Sequence, residues 1–556
     1  MFRIQILILT LALSSTLATA QAPHPSDGPA KLTSCHAEPP TIKESPVADR
    51  ILSGYGSGGF VIKTRSRDAQ LYFDNGMQLG HAFAHKSAVA AFRRAEQIDP
   101  GCAMCVWGEA WARGPSINFT IDKERQHELD ILAAKAAALS ANNAPIEREL
   151  IAAMQKRYRD GGGKGPGDAA YALAMDAVYR RHPLDNEIAI LAADAWMIPA
   201  AQEDTREHLD RAIQILESVL RRSPNDTGAI HFYIHATEMD GVGAEALPYA
   251  ERLQALTPAA SHLVHMPSHV YFWLGRYKEA EQANLDAVKI DNANALSLNP
   301  KGGVFAIPYH DHSVLYGQAA ALMDGDAHGG LLLAGSELQQ LPTMQPGNFF
   351  QQFGLATAYE VYGRYGSAKE IEWLIDPGPA MPYARAMWHY ARGEFAARSS
   401  DVSSLNREIA AVQISAEEAG RLKDSSPEAQ ALIAIARLVL TGRLAMIEQR
   451  WSDAEAAYRA AAGIQEEKLS AFTDPPAWWY PIRRSVAAAL LAGGDPRASK
   501  VEVQQALLHW SSDPLSLELL AESEKALGRC EDAEKQDAAA RQNWLGDIRS
   551  LNPALF

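Results

Sequence analysis

The segments HFYIHATE (residues 231–238) and HLVHMPSHVYF (residues 262–272) decide how this chain folds. His231 and His235 recur as His265 and His269 after a shift of 34 residues, and the same shift carries Ala246 onto Ala280 and Leu253 onto Ala287. A fixed period in small and apolar positions marks stacked helix–turn–helix units, each burying its apolar face against its neighbours. Equivalent residues of stacked units lie side by side on one wall, so this period stacks imidazoles, placing His231 beside His265 and bringing His235 and His269 within reach of one ion. Glu238 shares the stripe of its own pair, because 231, 235 and 238 are spaced i, i+4, i+7 on a helix. A transition-metal site is the first hypothesis for such a row.

Thirty-four residues is the tetratricopeptide (TPR) period. The expected fold is all-α, a superhelical solenoid of antiparallel helix pairs spanning residues 68–556. Gly76, Leu79, Ala88, Phe92 and Ala95, closed by Asp99-Pro100, fill the packing slots of its first clear unit. Gly275-Arg276-Tyr277, Gly363-Arg364-Tyr365, Gln449-Arg450-Trp451 and Gly528-Arg529-Cys530 read as turns between the two helices of a unit. Segments 142–183 and 377–425 are helical in pattern but drift from the period, and DGGGKGPGD (160–168) reads as a loop. The spacing predicts about ten to twelve helix pairs.

Residues 1–20 have the order of a secretory signal peptide: Arg3, an apolar run from Ile4 to Leu13, then small residues ending at Ala20. The expected protein is therefore periplasmic or secreted. Residues 21–67, with SGYGSGG at 53–59, read as an N-terminal arm or linker. Past the leader, no stretch reads as the roughly 20 apolar residues of a membrane helix. With 52 Lys+Arg against 67 Asp+Glu, the acidic balance argues against a nucleic-acid partner, which needs clustered positive charge. Four cysteines remain after cleavage, Cys35, Cys102, Cys105 and Cys530, and an exported chain favours a local bridge between Cys102 and Cys105.

The segments AEQIDPGCAMCVWGEAWARGPSIN (95–118), HFYIHATE, HLVHMPSHVYFWLGRY (262–277) and PPAWWYPIRRSVAAALL (475–491) together resemble recurring blocks of bacterial exported tetratricopeptide proteins. That resemblance implies a helical-repeat fold and export, and no established reaction. It also implies a block with two nearby histidines after the HMPxH helix, which here is IPYHDHSVLYG (307–317). His310 matches the first of them; the second falls at Ser313, with His312 displaced by one residue. In this repeat type the first helix of each unit lines the concave groove. His262, His265 and His269 then line one rung, and His231, His235 and Glu238 the next. Aligning Trp107-Gly108 and Trp111 to the same helix puts Cys102, Cys105 and Glu109 in the slots of His262, His265 and His269, with Asp194 a further acidic groove residue.

Five of the 17 histidines fall between 231 and 269. A multi-histidine site without thiolate suits copper or zinc first and iron next, whereas calcium would want more carboxylates. The competing reading is that His262 and His265, which precede Pro267, are buried in a helix entry turn. Cys102 and Cys105 could instead ligate a soft metal, although no His follows them as haem attachment would require. Trp478, Trp479 and Tyr480 read first as packing and second as a ligand platform. No P-loop, GxSxG elbow, HExxH or dinucleotide fingerprint is present in the sequence. Three functions follow: a groove that binds a transition metal; a metal-dependent oxidoreductase or hydrolase with Glu238 as general base; or a metal-free scaffold holding a protein or peptide in its concave groove.

Overall fold

Many of the helices begin where a short polar side chain takes over an orphaned backbone N–H. Asp226 accepts from Ala229 N at 3.2 Å and starts Thr227–Met239, the helix that carries HFYIHATE. Asp122, Asp326, Ser426 and Asp495 do the same for Lys123–Leu139, Ala327–Leu338, Pro427–Ile447 and Pro496–Leu507. Each such cap stabilises its helix by about 1 kcal/mol.

The computed structural model describes residues 48–159, 166–203, 206–342, 344, 349–421, 426–546, 548, 551, 552, 555 and 556. Over them the chain forms twenty-five α-helical segments and, among the described residues, no strand. Successive helices pack on one another along the chain as an all-α solenoid of the tetratricopeptide type. The first unit packs as its spacing requires. Phe92 is fully buried, and a side chain at Gly76 would lie 2.6 Å from its ring, so only glycine lets Arg67–His81 approach His85–Ile98 this closely. The drifting segments are also helical, as Pro145–Arg159, Pro166–Arg181, Pro382–Arg398 and Val402–Gly420. Of the expected 160–168 loop, residues 160–165 lie outside the described residues and Pro166 already opens a helix.

The apolar core has two parts. One runs from Ile62 to Tyr309 and the other from Phe272 to Phe556. They meet where HLVHMPSHVYF ends, so the histidine-rich helices lie along a seam. The far half closes back on that seam: Trp273 Nε1 donates to Thr473 O at 3.0 Å, and the Trp273 and Trp510 rings lie 5.8 Å apart. Gly275, at φ +72°, makes the closure fit, since any side chain there would lie 2.1 Å from the Ser511 carbonyl.

Several local readings need correction. Gly363-Arg364-Tyr365 is no turn: Phe349–Tyr365 runs through it, and the break comes one residue later, where Gly366 N donates to Tyr362 O and Ser367 forms a capping box with Glu370. The described part of the arm, from residue 48, is bound rather than a free linker. Leu52 N donates to Asn75 Oδ1 at 3.0 Å and Ser57 N to Thr227 Oγ1 at 2.8 Å, so it straps the start of the His231 helix. Residues 1–47, with the leader and Cys35, lie outside the described residues. One helix, Pro427–Ile447, does have the length and hydropathy of a membrane span, with 67% of its apolar window buried against its neighbours in the fold. Trp478, Trp479 and Tyr480 are buried in the core, with the Arg484 guanidinium 4.3 Å from the Tyr480 ring, as the packing reading requires.

Glu281, on Tyr277–Leu298, is buried beside Asp324 and Asp326, and burial followed by those two acids drives its carboxyl far above the usual range. A raised carboxyl pKa means the folded state holds a proton that the unfolded chain releases. Stability is then full below the unfolded pKa and falls as pH rises toward the folded one. Glu281→Gln removes that penalty. The melting temperature of the parent should fall relative to the variant between about pH 5 and pH 8; parallel pH profiles by calorimetry would refute it.

Candidate metal centre

Four helices and one loop supply the site. Thr227–Met239 carries His231, His235 and Glu238 on one stripe. The next stretch is split at Pro267 into Ser261–His265 and Pro267–Trp273, which hold His262, His265 and His269. His310–Asp324 brings His312, and the loop after Thr473 brings Asp474. All six of His231, His235, His262, His265, His269 and His312 are buried.

They fall into two triads. Ring nitrogens of His231, His235 and His262 lie within 4.8 Å of one another, as do those of His265, His269 and His312. In the first, His231 Nδ1 donates to the His81 backbone carbonyl at 2.6 Å, which turns Nε2 inward, 3.1 Å from His262 Nε2. In the second, His265 Nδ1 lies 2.6 Å from Asn284 Oδ1 and its Nε2 2.8 Å from His269 Nε2. With metal–nitrogen bonds of about 2.0–2.1 Å, two ligands of one tetrahedral ion stand about 3.3 Å apart. Both contacts come within about half an ångström of that edge. The outer nitrogens of His231, His265 and His269 already hold the backbone and side-chain partners that typically fix the tautomer of a metal-ligating histidine, whereas His262 Nδ1 has no partner among the described residues.

Burial, helped by the neighbouring imidazoles, pushes His235, His262, His265 and His312 well below the ordinary imidazole range and takes His231 down to about 3. Five rings are therefore neutral and carry lone pairs at neutral pH. His269 goes the other way. Burial alone would lower it, but the Glu238 and Asp474 carboxylates outweigh burial and raise it to about 9. Glu238 Oε2 accepts from His269 Nδ1 at 2.8 Å, and Asp474 Oδ1 stands 3.4 Å from the same nitrogen.

The placement departs from the register in definite ways. His235 lies beside His269, with ring centroids 5.5 Å apart, but the two fall in different triads rather than around one ion, and the partner of His231 is His262 rather than His265. Pro267 interrupts the helix, and the short entry turn slides His262 into the first rung. His310 joins neither triad and bonds Asp291 at 3.0 Å; the displaced His312 is the one that reaches the site. Cys102 and Cys105 form a buried disulfide with Cα atoms 5.4 Å apart, which removes them as thiolate ligands, and Cys530 is free and exposed. Glu109 is held by Arg93 at 2.9 Å and Arg113 at 2.8 Å. Asp194 is buried near Arg157 and His81, with burial raising its carboxyl to about 6, and belongs to no metal-holding group.

Residues that sequence reasoning missed complete the enclosure. Phe83, at φ +55°, stacks on His262 and His235 with centroids 5.3 and 5.8 Å away and meets His231 edge-on at 4.4 Å. Tyr309 lies 4.3 Å from His262 and its hydroxyl accepts from Asn118 Nδ2, while Tyr316 lies 4.8 Å from His269. A signal existed for the first: HAFAH (81–85) carries two more histidines at i, i+4, and His81 bonds Glu187 at 2.5 Å. Nothing local marks Asp474 or Asn284.

No family model matches this chain, and no curated protein does. Solved structures resemble it faintly. Human IFIT1 as a dimer with m7Gppp-AAAA is 14% identical over 86% of this chain and 91% of its own, with a TM-score of 0.30. The P58(IPK) TPR domain is 12% identical over 64% and 94%, with a TM-score of 0.22. Naa15/Naa10 bound to HypK is 12% identical over 88% and 90%, with a TM-score of 0.23. Superpositions of this quality carry no argument about what the present chain binds.

The disposition of the cysteines is open to direct measurement. Non-reducing peptide mapping should recover Cys102 linked to Cys105 and find Cys530 alkylated without prior reduction. Labelling of Cys102 or Cys105 in the unreduced protein would contradict this arrangement.

Proposed function

We propose that this chain is an exported tetratricopeptide solenoid that binds transition metal, copper or zinc, through the buried histidines at its seam. The observation that carries the reading is the pair of Nε2 to Nε2 contacts, His231 to His262 and His265 to His269. Ring nitrogens converge there in a buried site, backed on their outer sides by a carbonyl, an amide and carboxylates. Converging lone pairs are costly to bury unless a proton or a cation is shared between them. Export rests on the signal-like order of residues 1–20.

Glu238 fits an orienting role better than a general base, because its carboxylate is engaged by His269. That engagement favours binding, storage or delivery of the ion over hydrolysis initiated by Glu238. The scaffold reading, with a peptide in the groove, has less support at this site: Phe83, Tyr309 and Tyr316 fill the space around the histidines.

Protein purified without a histidine tag should carry copper or zinc in stoichiometric amount by elemental analysis. Replacing both His235 and His269 with Ala should abolish it, whereas the exposed His509 is a silent control. Metal should raise the melting temperature of the parent and not of the double variant, because a ligand confined to the native state stabilises by mass action. Asn284→Ala should weaken binding by about 10–100-fold while leaving stoichiometry intact, as loss of an outer partner typically does. A metal-free parent, or equal melting temperatures with and without metal, would remove the reading.

A further inference from the structure

The two triads differ in what stands behind them. Behind His265, His269 and His312 are two carboxylates. Glu238 Oε2 lies 2.8 Å from His269 Nδ1, and Asp474 Oδ1 lies 3.4 Å from that nitrogen and 3.5 Å from His312 Nε2. Among the described residues no carboxylate pairs with His231, His235 or His262, in contrast to the other triad. His231 Nδ1 is taken by the His81 backbone carbonyl. Glu187, the acid held by His81, has its charge engaged there at 2.5 Å. The rest of the wall is aromatic, from Phe83 and Tyr309.

Charge compensation therefore separates two positions that are alike in ligand type. The self-energy of an ion in a low-dielectric site grows with the square of its charge, so a divalent ion costs about four times what a monovalent one does. Two carboxylates offset a divalent ion at the second triad. Three neutral imidazoles offset none at the first. The sites also abut, with ring centroids 5.5 Å apart for His235 and His269 and 5.7 Å for His262 and His265, so ions in both repel each other across protein rather than water. A monovalent ion in the first triad halves that repulsion. Among monovalent ions, imidazole nitrogen selects copper, because alkali cations are hard and take oxygen.

Building on the metal-binding reading above, we infer that the cluster holds two ions of unequal charge: a divalent ion on His265, His269 and His312, and monovalent copper on His231, His235 and His262. Each triad loads separately. Glu238 and Asp474 are positioning residues of the divalent site alone.

The test is stoichiometry on the full chain, stripped by chelation and kept in halide-free buffer without oxygen. Zinc alone should saturate at one equivalent. Copper(I) delivered from a bicinchoninate complex to the zinc-loaded protein should then add one equivalent without releasing zinc. Asp474→Asn should weaken zinc by about 10–100-fold and leave the copper(I) affinity within threefold of the parent. His262→Gln, with His235→Ala as a second variant should one of them fail to fold, should lose the copper(I) equivalent and keep the zinc. Two equivalents of zinc of similar affinity would overturn the unequal-charge assignment while leaving metal binding intact. So would a single ion lost alike from the Asp474 and His262 variants. Failure of both metals to bind would instead remove the metal-binding reading itself, and this inference with it.

Discussion

Six imidazoles buried together at a seam between two apolar clusters are the constraint around which this molecule is organised. A buried ring nitrogen without a partner costs free energy, and one that faces another lone pair costs more. The fold meets the demand on the outer side of each triad. The His81 carbonyl serves His231, Asn284 serves His265, and Glu238 with Asp474 serves His269. The inner nitrogens are left to one another. Much of the surrounding architecture then has a reason: the strap from residue 48 onward onto Thr227, the break at Pro267, and the return of the far half that delivers Asp474.

The all-α repeat and the histidine wall were legible in the sequence because both depend on local periodicity. A shift of 34 residues fixes which helices stack, and i, i+4 spacing fixes which face a histidine takes. Partner assignment within the site was not legible to the same depth. Periodicity paired His231 with His265, but the period assumes an unbroken helix, and the short Ser261–His265 turn before Pro267 puts His262 in that place. Likewise the block resemblance pointed to His310, whereas Tyr309, in the left-handed region at φ +65°, sets the start of the helix so that His310 turns to Asp291 and His312 reaches the second triad.

Other misses share one cause, which is separation along the chain. Asp474 lies about two hundred residues from His269, and nothing in its own stretch of sequence distinguishes this buried acid from the acids on the surface. It enters the site because Trp273 bonds the Thr473 carbonyl, a contact between sequence segments with no shared period. Conversely, Cys102, Cys105 and Glu109 occupy slots that align with histidine positions and yet hold no ligand role. The two sulfurs are spent on each other, and Glu109 is spent on Arg93 and Arg113. Alignment of repeats transfers a position along the wall; whether the side chain there remains available depends on neighbours that the period does not specify.

The same logic explains why this repeat fold suits a closed centre better than an open groove. A solenoid builds a wall from equivalent helices, and equivalent positions on adjacent rungs come within ligand distance of one another without any loop being redesigned. What a wall lacks is a cover and a source of counter-charge. Here the cover is aromatic, from Phe83 on the early side and Tyr316 on the late side, and the counter-charge comes from one rung's own Glu238 together with Asp474 from the returning half. Because those two carboxylates sit on one side only, the wall acquires a direction: neutral and aromatic toward Phe83, anionic toward Asp474. The two histidine triads, alike in side chains, differ in electrostatic surroundings because they occupy the two ends of that gradient.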